Sequence, residues 1–364
     1  MQKSILLCFC FSFILGSGLE SELIFAGDNK IQIKKAINQV TSNQRPGMIW
    51  LINQMPEDDL KILSADFLLS NCEFAYRAWR GTKWGKKTPE HIFFDAVLPY
   101  ANLNERRDNW RKDFYERFLP IVKDSKSAYE AAVLLNHKIF EMVGVVYSTD
   151  RPKADQSPYE SIQAGMASCT GLSILLIDAC RSVGIPARFV GTPRWYNDSG
   201  NHSWVEIWDD GWHYTGAAEP TGDKLDEVWF SEMASKAKKG NMKYGIFAVT
   251  WEDSDHYFPM DWLPSIKKYN GIDITDRYIQ TINLEELIPI RIRTLNSLGI
   301  RQANKVIVLG ENNFLYEGIS KDQTCDMNDH LTVMLPKGKT FKVRSGHDVR
   351  TIEVVKEEII DLKP

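Results

Sequence analysis

The middle of the chain contains a cysteine, a histidine and a glutamate whose side chains suit nucleophilic chemistry. The first of them is Cys169. Ser168 precedes an apolar stripe at helical spacing, and its hydroxyl is a suitable N-cap for that helix. Cys169 is therefore predicted at the first helical position, where the positive end of the helix dipole stabilises a thiolate. The pattern makes Cys169 a candidate nucleophile, although a buried core cysteine is compatible with the same stripe.

A histidine and a glutamate are predicted to meet at the open end of a β-hairpin. His202 begins an alternating run, residues 209–211 (Asp-Asp-Gly) form a turn, and the returning run ends at Glu219. Paired strands joined by a tight turn place the start of the first strand beside the end of the second. Imidazole beside Cys169 would generate the thiolate, and the Glu219 carboxylate would orient the His202 ring. The three side chains together indicate acyl transfer through a thioester.

Further candidates lie close to these residues in the sequence. His213 is in the middle of the returning run, on the face of Glu219, and is an alternative base that we interpret as a surface histidine. Trp195, in the loop before His202, and Trp204 are candidates for contacts with the substrate. No group of histidine, cysteine and aspartate has the spacing of metal ligands. We therefore predict no metal and no organic cofactor.

The order of these elements resembles the transglutaminase-like superfamily of papain-like thiol enzymes. The resemblance is dense over residues 160–221 and rests on residues 168–171 (Ser-Cys-Thr-Gly), 184–188 (Gly-Ile-Pro-Ala-Arg), 202–206 (His-Ser-Trp-Val-Glu), 211–212 (Gly-Trp) and 219–220 (Glu-Pro). Upstream, residues 27–29, 53–56 and 98–107 are similar to bacterial secreted members. The resemblance implies a papain-like catalytic core and an oxyanion-hole glutamine at Gln163, for which a solvated loop position is the alternative. The superfamily usually has aspartate where this chain has Glu219.

The periodicity along the chain predicts an α+β protein with four regions. Residues 1–18 are interpreted as a signal peptide, 19–125 as a helical region, 126–285 as the transglutaminase-like core with an aromatic elaboration, and 286–364 as a small immunoglobulin-like β-sandwich. Long helices are predicted over residues 58–79 and 104–118. The C-terminal strands contain none of the three candidate residues, so we expect the site to lie entirely within the core.

Length, composition and charge exclude several classes of protein. The 364 residues are 43% hydrophobic and 25% charged, which is typical of a globular protein with two or three domains. With a formal net charge of −4, the chain has no excess of basic residues with which to bind nucleic acid.

An apolar run at residues 5–15 predicts export with cleavage near Gly18, and no later segment is apolar enough to span a membrane. Few cysteines remain after cleavage, and one disulfide, between Cys72 and Cys180, is compatible with their number.

The expected function is that of an exported bacterial enzyme in the periplasm or outside the cell. Its substrate would be a peptide, protein or glycopeptide, and we favour peptidase-like hydrolysis of amide bonds over transfer. The alternative is a non-catalytic envelope protein that binds glycan or peptide. Such a protein has no need of Cys169, His202 and Glu219 together. The sequence leaves the substrate and the oligomeric state open.

Overall fold

The structure, a computed structural model, describes residues 21–279, 287–310 and 315–364. The predicted signal peptide, residues 1–18, and the predicted domain boundary at 285–286 lie outside these ranges. Within them, no helix combines the length and the apolar character needed to cross a membrane. The four cysteines of the described residues are free thiols, so Cys72 and Cys180 are not joined.

The N-terminal region is helical, with breaks that the periodicity alone does not predict. Its helices are α1 (Lys30–Gln39), α2 (Arg45–Gln54), α3 (Glu57–Ile62), α4 (Ala65–Gly81), α5 (Glu90–Ala96) and α6 (Arg111–Val122). The helix predicted over 58–79 is divided at Ser64, whose hydroxyl caps α4 by accepting from the amide of Phe67. The helix predicted over 104–118 begins only at Arg111, because Glu105 accepts the backbone amides of Asn102 and Leu103 and stabilises a loop.

The central region surrounds one long buried helix. Its helices are α7 (Ala128–Val143), α8 (Pro158–Ala164) and α9 (Cys169–Ser182), and the short strands β1 (Val146–Tyr147) and β2 (Met166–Ala167) pair in parallel just before α9. Every residue of α9 after Cys169 is buried, so this helix is fixed along its length. Arg111 of α6 is also buried and donates to the carbonyls of Pro99 and Arg181, which ties the N-terminal helices to the end of α9.

An antiparallel sheet packs against α9. Its strands are β3 (Ala187–Thr192), β4 (His202–Trp208), β5 (Trp212–Thr215), β6 (Phe247–Val249), β7 (His256–Tyr257) and β8 (Asn270–Asp273), in the spatial order β5-β4-β3-β6-β8-β7. The aromatic segment after residue 222, predicted only as an elaboration, therefore supplies three strands to the sheet. It also supplies the short helix α10 (Ser231–Ala234) beside the start of β4.

The C-terminal region consists of two small sheets around a separate hydrophobic core. The strands are β9 (Leu287–Thr294), β10 (Lys305–Leu309), β11 (Leu315–Ile319), β12 (Leu331–Pro336), β13 (Thr340–Ser345), β14 (Asp348–Glu353) and β15 (Glu358–Leu362). They form the sheets β11-β10-β13-β14 and β12-β9-β15. Strand β15 was not predicted, and it pairs in parallel with β9. An immunoglobulin-like arrangement of these strands stays a prediction.

Polar contacts attach this C-terminal region, which we call the sandwich, to the central core. Arg291 of β9 is buried and lies 2.8 Å from Glu232 of α10 and 3.1 Å from Glu357 of the sandwich. Tyr196 of the core donates to the same Glu357. Because a buried guanidinium needs its carboxylate partners, these contacts hold the sandwich against the loop that precedes His202.

Candidate active site

Cys169 is the first residue of α9, as the capping pattern predicts. The hydroxyl of Ser168 accepts the amide of Gly171 at 3.2 Å and donates to the carbonyl of Ala154 at 2.7 Å. Cys169 itself is half-buried, so its sulfur stays accessible at the end of a helix that is otherwise enclosed. The helix dipole favours a thiolate at this position.

His202 begins β4 and is held there by an aromatic box. The residue pairs with Thr192 of β3, and its ring is 1% exposed. Trp195 and Trp204 stack on the ring with centroid distances of 6.0 and 5.9 Å, while Trp229 and Phe230 lie 5.0 and 4.8 Å away. These contacts restrict the rotation of the imidazole and exclude water from it.

Two carboxylates approach this ring from different sides. Asp326 of the sandwich has its Oδ2 atom 3.5 Å from Nδ1 of His202, and Glu219 has its Oε2 atom 3.9 Å from Nε2. One side-chain atom each of Cys169, His202 and Asp326 lie within 4.8 Å of one another. Neither ring nitrogen makes a hydrogen bond of ordinary geometry to a described residue. Such bonds in catalytic sites are commonly long without substrate and shorten when it binds.

The charges of the three groups follow from burial and from their mutual distances. Burial opposes the charged form of His202, but the Asp326 carboxylate and the Cys169 sulfur outweigh it and raise the pKa of His202 well above its ordinary value. Burial likewise opposes the charge of Asp326, yet the imidazolium and the amide of Asn328 hold the pKa of Asp326 below its usual range. Burial raises the pKa of Glu219 to about 8, against the attraction of His202. Asp326 therefore keeps its charge near neutral pH more readily than Glu219 does.

Glu219 lies beside His202, where the hairpin argument predicts it, although the strand does not continue to it. Strand β5 ends at Thr215, and the chain turns through Ala218, which adopts a left-handed φ of 64°. This turn, closed by a bridge between Gly216 and Glu219, directs the carboxylate back to the ring. The indole nitrogen of Trp229 donates to Oε2 of Glu219 at 2.8 Å.

The other predicted site residues lie in different surroundings. Trp195 and Trp204 are 1% and 0% exposed, so the structure places them behind the imidazole and not on an open surface. Gln163 is exposed on α8, in a surface pocket that includes Lys153 but neither Cys169 nor His202. Substrate contacts by the tryptophans and an oxyanion role for Gln163 stay predictions, and the structure does not bring these residues to the thiol.

A cleft of about 650 Å³ opens beside the site, between the core and the sandwich. Its walls include Tyr147 of β1, Leu172 of α9, Glu219 and Trp229. The hydroxyl of Tyr147 accepts the amide of Met327, which belongs to the sandwich, at 2.9 Å. Both regions therefore build the surface of this cleft, which meets the site at Glu219.

Sequence analysis missed Asp326, Trp229 and Tyr147. The expectation that the sandwich contributes nothing to the site is wrong, because Asp326 contacts His202 directly. The surrounding residues, Asp322 to Asp329, have the composition of a turn, and no periodicity or spacing connects them with a histidine so far away in the chain. Only the docking of the two regions reveals the contact.

The same three side chains also offer a sulfur, a nitrogen and an oxygen atom, which are the atoms that zinc accepts. Catalytic zinc sites have three protein ligands, and these residues meet that number. However, the ring nitrogen that faces Asp326 must then also serve the metal. The same three residues fit the roles of nucleophile, base and orienting carboxylate in a thiol enzyme at least as well as they fit the role of zinc ligands.

One family model matches part of the chain. Residues 118–216 match the model described as the transglutaminase-like superfamily. The matched segment includes Cys169 and His202, and it ends before Glu219 and Asp326. Members of this superfamily are typically cysteine-dependent.

Two solved structures show more limited similarity. One is a proposed cysteine protease from Cytophaga hutchinsonii, with 17% identity and a TM-score of 0.26, matched over 32% of this chain and 41% of that chain. The other is a C-terminal fragment of the pilus adhesin SpaC from Lactobacillus rhamnosus GG, with 10% identity and a TM-score of 0.17, matched over 46% and 74%. The chain thus spans about two fifths of the Cytophaga protein, and neither similarity extends to the whole fold. No curated protein sequence matches the chain.

Proposed function

We propose that the protein is a thiol-dependent acyl-transfer enzyme that cleaves amide bonds in peptides or glycopeptides, with Cys169 as nucleophile and His202 as base. The observation that carries this proposal is the meeting of a helix-start thiol, a buried imidazole and an ionised carboxylate within 4.8 Å. Each of the three is costly to bury alone, and together they form the charge arrangement that activates a thiol.

The reaction follows from the positions of these groups. The Cys169 thiolate attacks the carbonyl carbon of the amide, and a carbon–sulfur bond forms. The carbon–nitrogen bond then breaks, and the proton of the His202 imidazolium passes to the leaving amine. His202 then takes a proton from water, whose oxygen attacks the thioester carbonyl; the carbon–sulfur bond breaks, the carboxylic acid leaves, and the thiolate and the imidazolium are restored. A second amine in place of water would give transfer.

The amide of Cys169 itself is a suitable donor to the oxygen of the tetrahedral intermediate, because amides in the first turn of a helix have no partner within the helix. The neighbouring cleft supports an extended substrate, since its walls combine apolar surface from Leu172 and Trp229 with the polar groups of Tyr147 and Glu219. Export to the periplasm or beyond is proposed from the sequence of residues 1–18 alone.

A screen of peptides and glycopeptides by mass spectrometry tests this proposal, with Cys169→Ala as the matched variant. We expect hydrolysis or transfer products with the wild-type protein and none with the variant. Treatment of the acylated protein with hydroxylamine should release acyl hydroxamate, because thioesters are cleaved by this nucleophile. Equal turnover by Cys169→Ala would contradict the proposal, and ligand retention without turnover by either protein would favour a binding protein.

A metal-dependent reaction at the same residues is the second candidate, favoured by the ligand-like cluster. The two candidates respond oppositely to metal. We expect chelation to leave the thiol reaction unchanged and added zinc to inhibit it, because zinc would occupy the sulfur and the imidazole. Restoration of turnover by zinc after chelation would favour the metal enzyme.

A further inference from the structure

We propose that Asp326 of the sandwich, and not Glu219 of the core, is the positioning carboxylate of His202, so that the active site is complete only when the sandwich is docked. This inference rests on the proposed function, because it assigns a role within the same site. It concerns the part of the site that lies outside the transglutaminase-like segment, residues 118–216.

The first argument is the geometry around the ring. A histidine that activates a thiol uses one nitrogen for the sulfur and the other for the carboxylate. Asp326 faces Nδ1 at 3.5 Å with a side chain that is 1% exposed, whereas Glu219 faces Nε2 at 3.9 Å with 16% exposed. Asp326 is thus the nearer and the more deeply buried of the two carboxylates. Glu219 also lines the cleft, where water and substrate compete for it.

The second argument is the way in which the Asp326 loop is built. The amide of Asn328 donates to Oδ1 of Asp326 at 2.9 Å, which leaves Oδ2 for the histidine. The guanidinium of Arg301 donates to the carbonyls of four loop residues, namely Cys325 (2.7 Å), Asp326 (3.0 Å), Met327 (3.3 Å) and Asp329 (2.9 Å). The loop is thus fixed from within the sandwich, independently of the core.

The third argument is that the loop docks on both sides of the site. The amide of Met327 donates to Tyr147, whose strand pairs with the residues just before Cys169. The side-chain amide of Asn328 donates to the carbonyl of Asn201, next to His202, at 3.0 Å. At Gly200 a Cβ atom would lie 2.9 Å from Oδ1 of Asn328, so a glycine is needed for this close approach. These contacts set the position of Asp326 relative to both catalytic partners.

The charges agree with this assignment. The amide of Asn328 and the His202 imidazolium keep the pKa of Asp326 low against the effect of burial, whereas burial raises the pKa of Glu219 to about 8. Only an ionised carboxylate stabilises the imidazolium that forms during catalysis. The titratable groups around the site come from four elements: Tyr147, Cys169, Glu219, Asp326 and Asp329.

The test uses the full-length protein and three variants, with iodoacetamide as the probe of Cys169. Asp326→Asn retains the shape and the bond to Asn328 but removes the charge. Asp322→Asn is the matched control, because Asp322 accepts the amide of Thr324 at 2.9 Å in a similar turn of the same loop and faces no histidine. Glu219→Gln removes the competing carboxylate.

We expect Asp326→Asn to slow alkylation of Cys169 at pH 6 by about tenfold or more and to shift the rate profile to higher pH. Asp322→Asn should stay within about twofold of the wild type, and Glu219→Gln should lose less reactivity than Asp326→Asn. Equal rates for Asp326→Asn and the wild type would overturn the inference, as would a larger loss in Glu219→Gln. Loss in both loop variants would show that the loop acts only as a structural support.

Titration of the histidine ring nitrogens by NMR gives a readout that does not depend on the thiol. We expect Asp326→Asn to lower the pKa of His202 and Glu219→Gln to change it less, because Glu219 lies farther from the ring and its raised pKa weakens its charge near neutral pH. If the variants shift the pKa of His202 as expected but Cys169 of the wild type is unreactive, the proposed function fails and the inference about Asp326 stands. An unchanged His202 titration in Asp326→Asn would count against the inference.

Discussion

Glu219 and Asp326 approach the same imidazole from two different regions of the molecule, and the two regions hold them differently. Glu219 follows the hairpin of the core and shares the wall of the cleft. Asp326 comes from the sandwich and is enclosed by a loop that Arg301 stabilises. Burial raises the pKa of the acid that is nearer in the sequence to about 8, while the pKa of the distant one stays below its usual range.

This difference shows that the position of a residue in a family pattern does not determine its charge. A carboxylate keeps its charge in a buried site only where amide donors or cations compensate for the lost water. Asp326 has the amide of Asn328 and the imidazolium of His202. Glu219 has the indole of Trp229 and a more distant imidazole.

The largest effect is expected when the imidazole itself is removed. His202→Ala should slow alkylation of Cys169 at pH 6 by roughly 10²-fold, because an ordinary cysteine is less than about 1% thiolate at that pH. His213→Ala is the control, since His213 also pairs with an aspartate, Asp226, at 2.6 Å but is partly exposed and far from the thiol. A similar loss in both variants, measured by peptide mapping, would contradict the choice of base.

A smaller effect is expected from loosening the Asp326 loop without altering Asp326. Arg301→Met removes the donors to four loop carbonyls and should slow alkylation at pH 6 by roughly three- to tenfold, through a less fixed carboxylate. Arg293→Met is the matched variant, because Arg293 forms an ion pair with Asp361 at 2.6 Å elsewhere in the sandwich.

Equal rates of alkylation in Arg301→Met and Arg293→Met would contradict this prediction. Denaturation by urea at pH 7 provides the necessary check, since both variants lose contacts of the sandwich. Equal losses of stability with unequal rates of alkylation would show that the position of the loop, and not the stability of the sandwich, controls the thiol.

Glu219 should affect stability more than reactivity. Its pKa rises from 4.5 to about 8 on folding, so between these values the native state binds a proton that the unfolded state has released. Stability therefore falls as the pH rises through this window. Glu219→Gln lacks this penalty and should gain stability relative to the wild type between pH 5 and pH 8.5, on the order of 4 kcal/mol.

Urea denaturation at both pH values measures that difference. A difference in unfolding free energy between the two proteins that stays constant with pH would show that Glu219 is ionised in the native state and would return it to the role of orienting carboxylate.

Asp209→Asn is a useful control for alkylation, because Asp209 lies in the hairpin turn and accepts the amide of Tyr129 at 3.1 Å, away from His202. Asp209→Asn should not slow alkylation at pH 6 by more than about twofold, and Glu219→Gln should slow it less than Asp326→Asn does.

Local patterns in the sequence predict the parts of the site that local structure determines. The cap at Ser168 places Cys169, and the alternation from His202 to the turn at 209–211 places the hairpin, because both depend on neighbouring residues. The proximity of Glu219 to His202 follows from the same hairpin, although the final turn at Ala218 does not.

The remaining features depend on contacts between distant segments. Trp195 looks exposed in a loop sequence, yet the sheet and α10 enclose it beside His202. The strands β6 to β8 are too short and irregular for a clear alternation, so the extent of the sheet was not predictable. Asp326 has the composition of a turn, and only the docked sandwich brings it to the imidazole.

The most direct measurement is the rate at which each of the four cysteines of the described residues reacts with limiting iodoacetamide at pH 6, resolved by peptide mapping. Burial raises the pKa of Cys72 to about 12 and raises the pKa values of Cys180 and Cys325, so these thiols should react slowly. The account predicts that Cys169 is labelled first and faster than a free cysteine, because His202 and Asp326 stabilise its thiolate. Labelling of another cysteine first, or a rate at Cys169 equal to that of free cysteine, would contradict it.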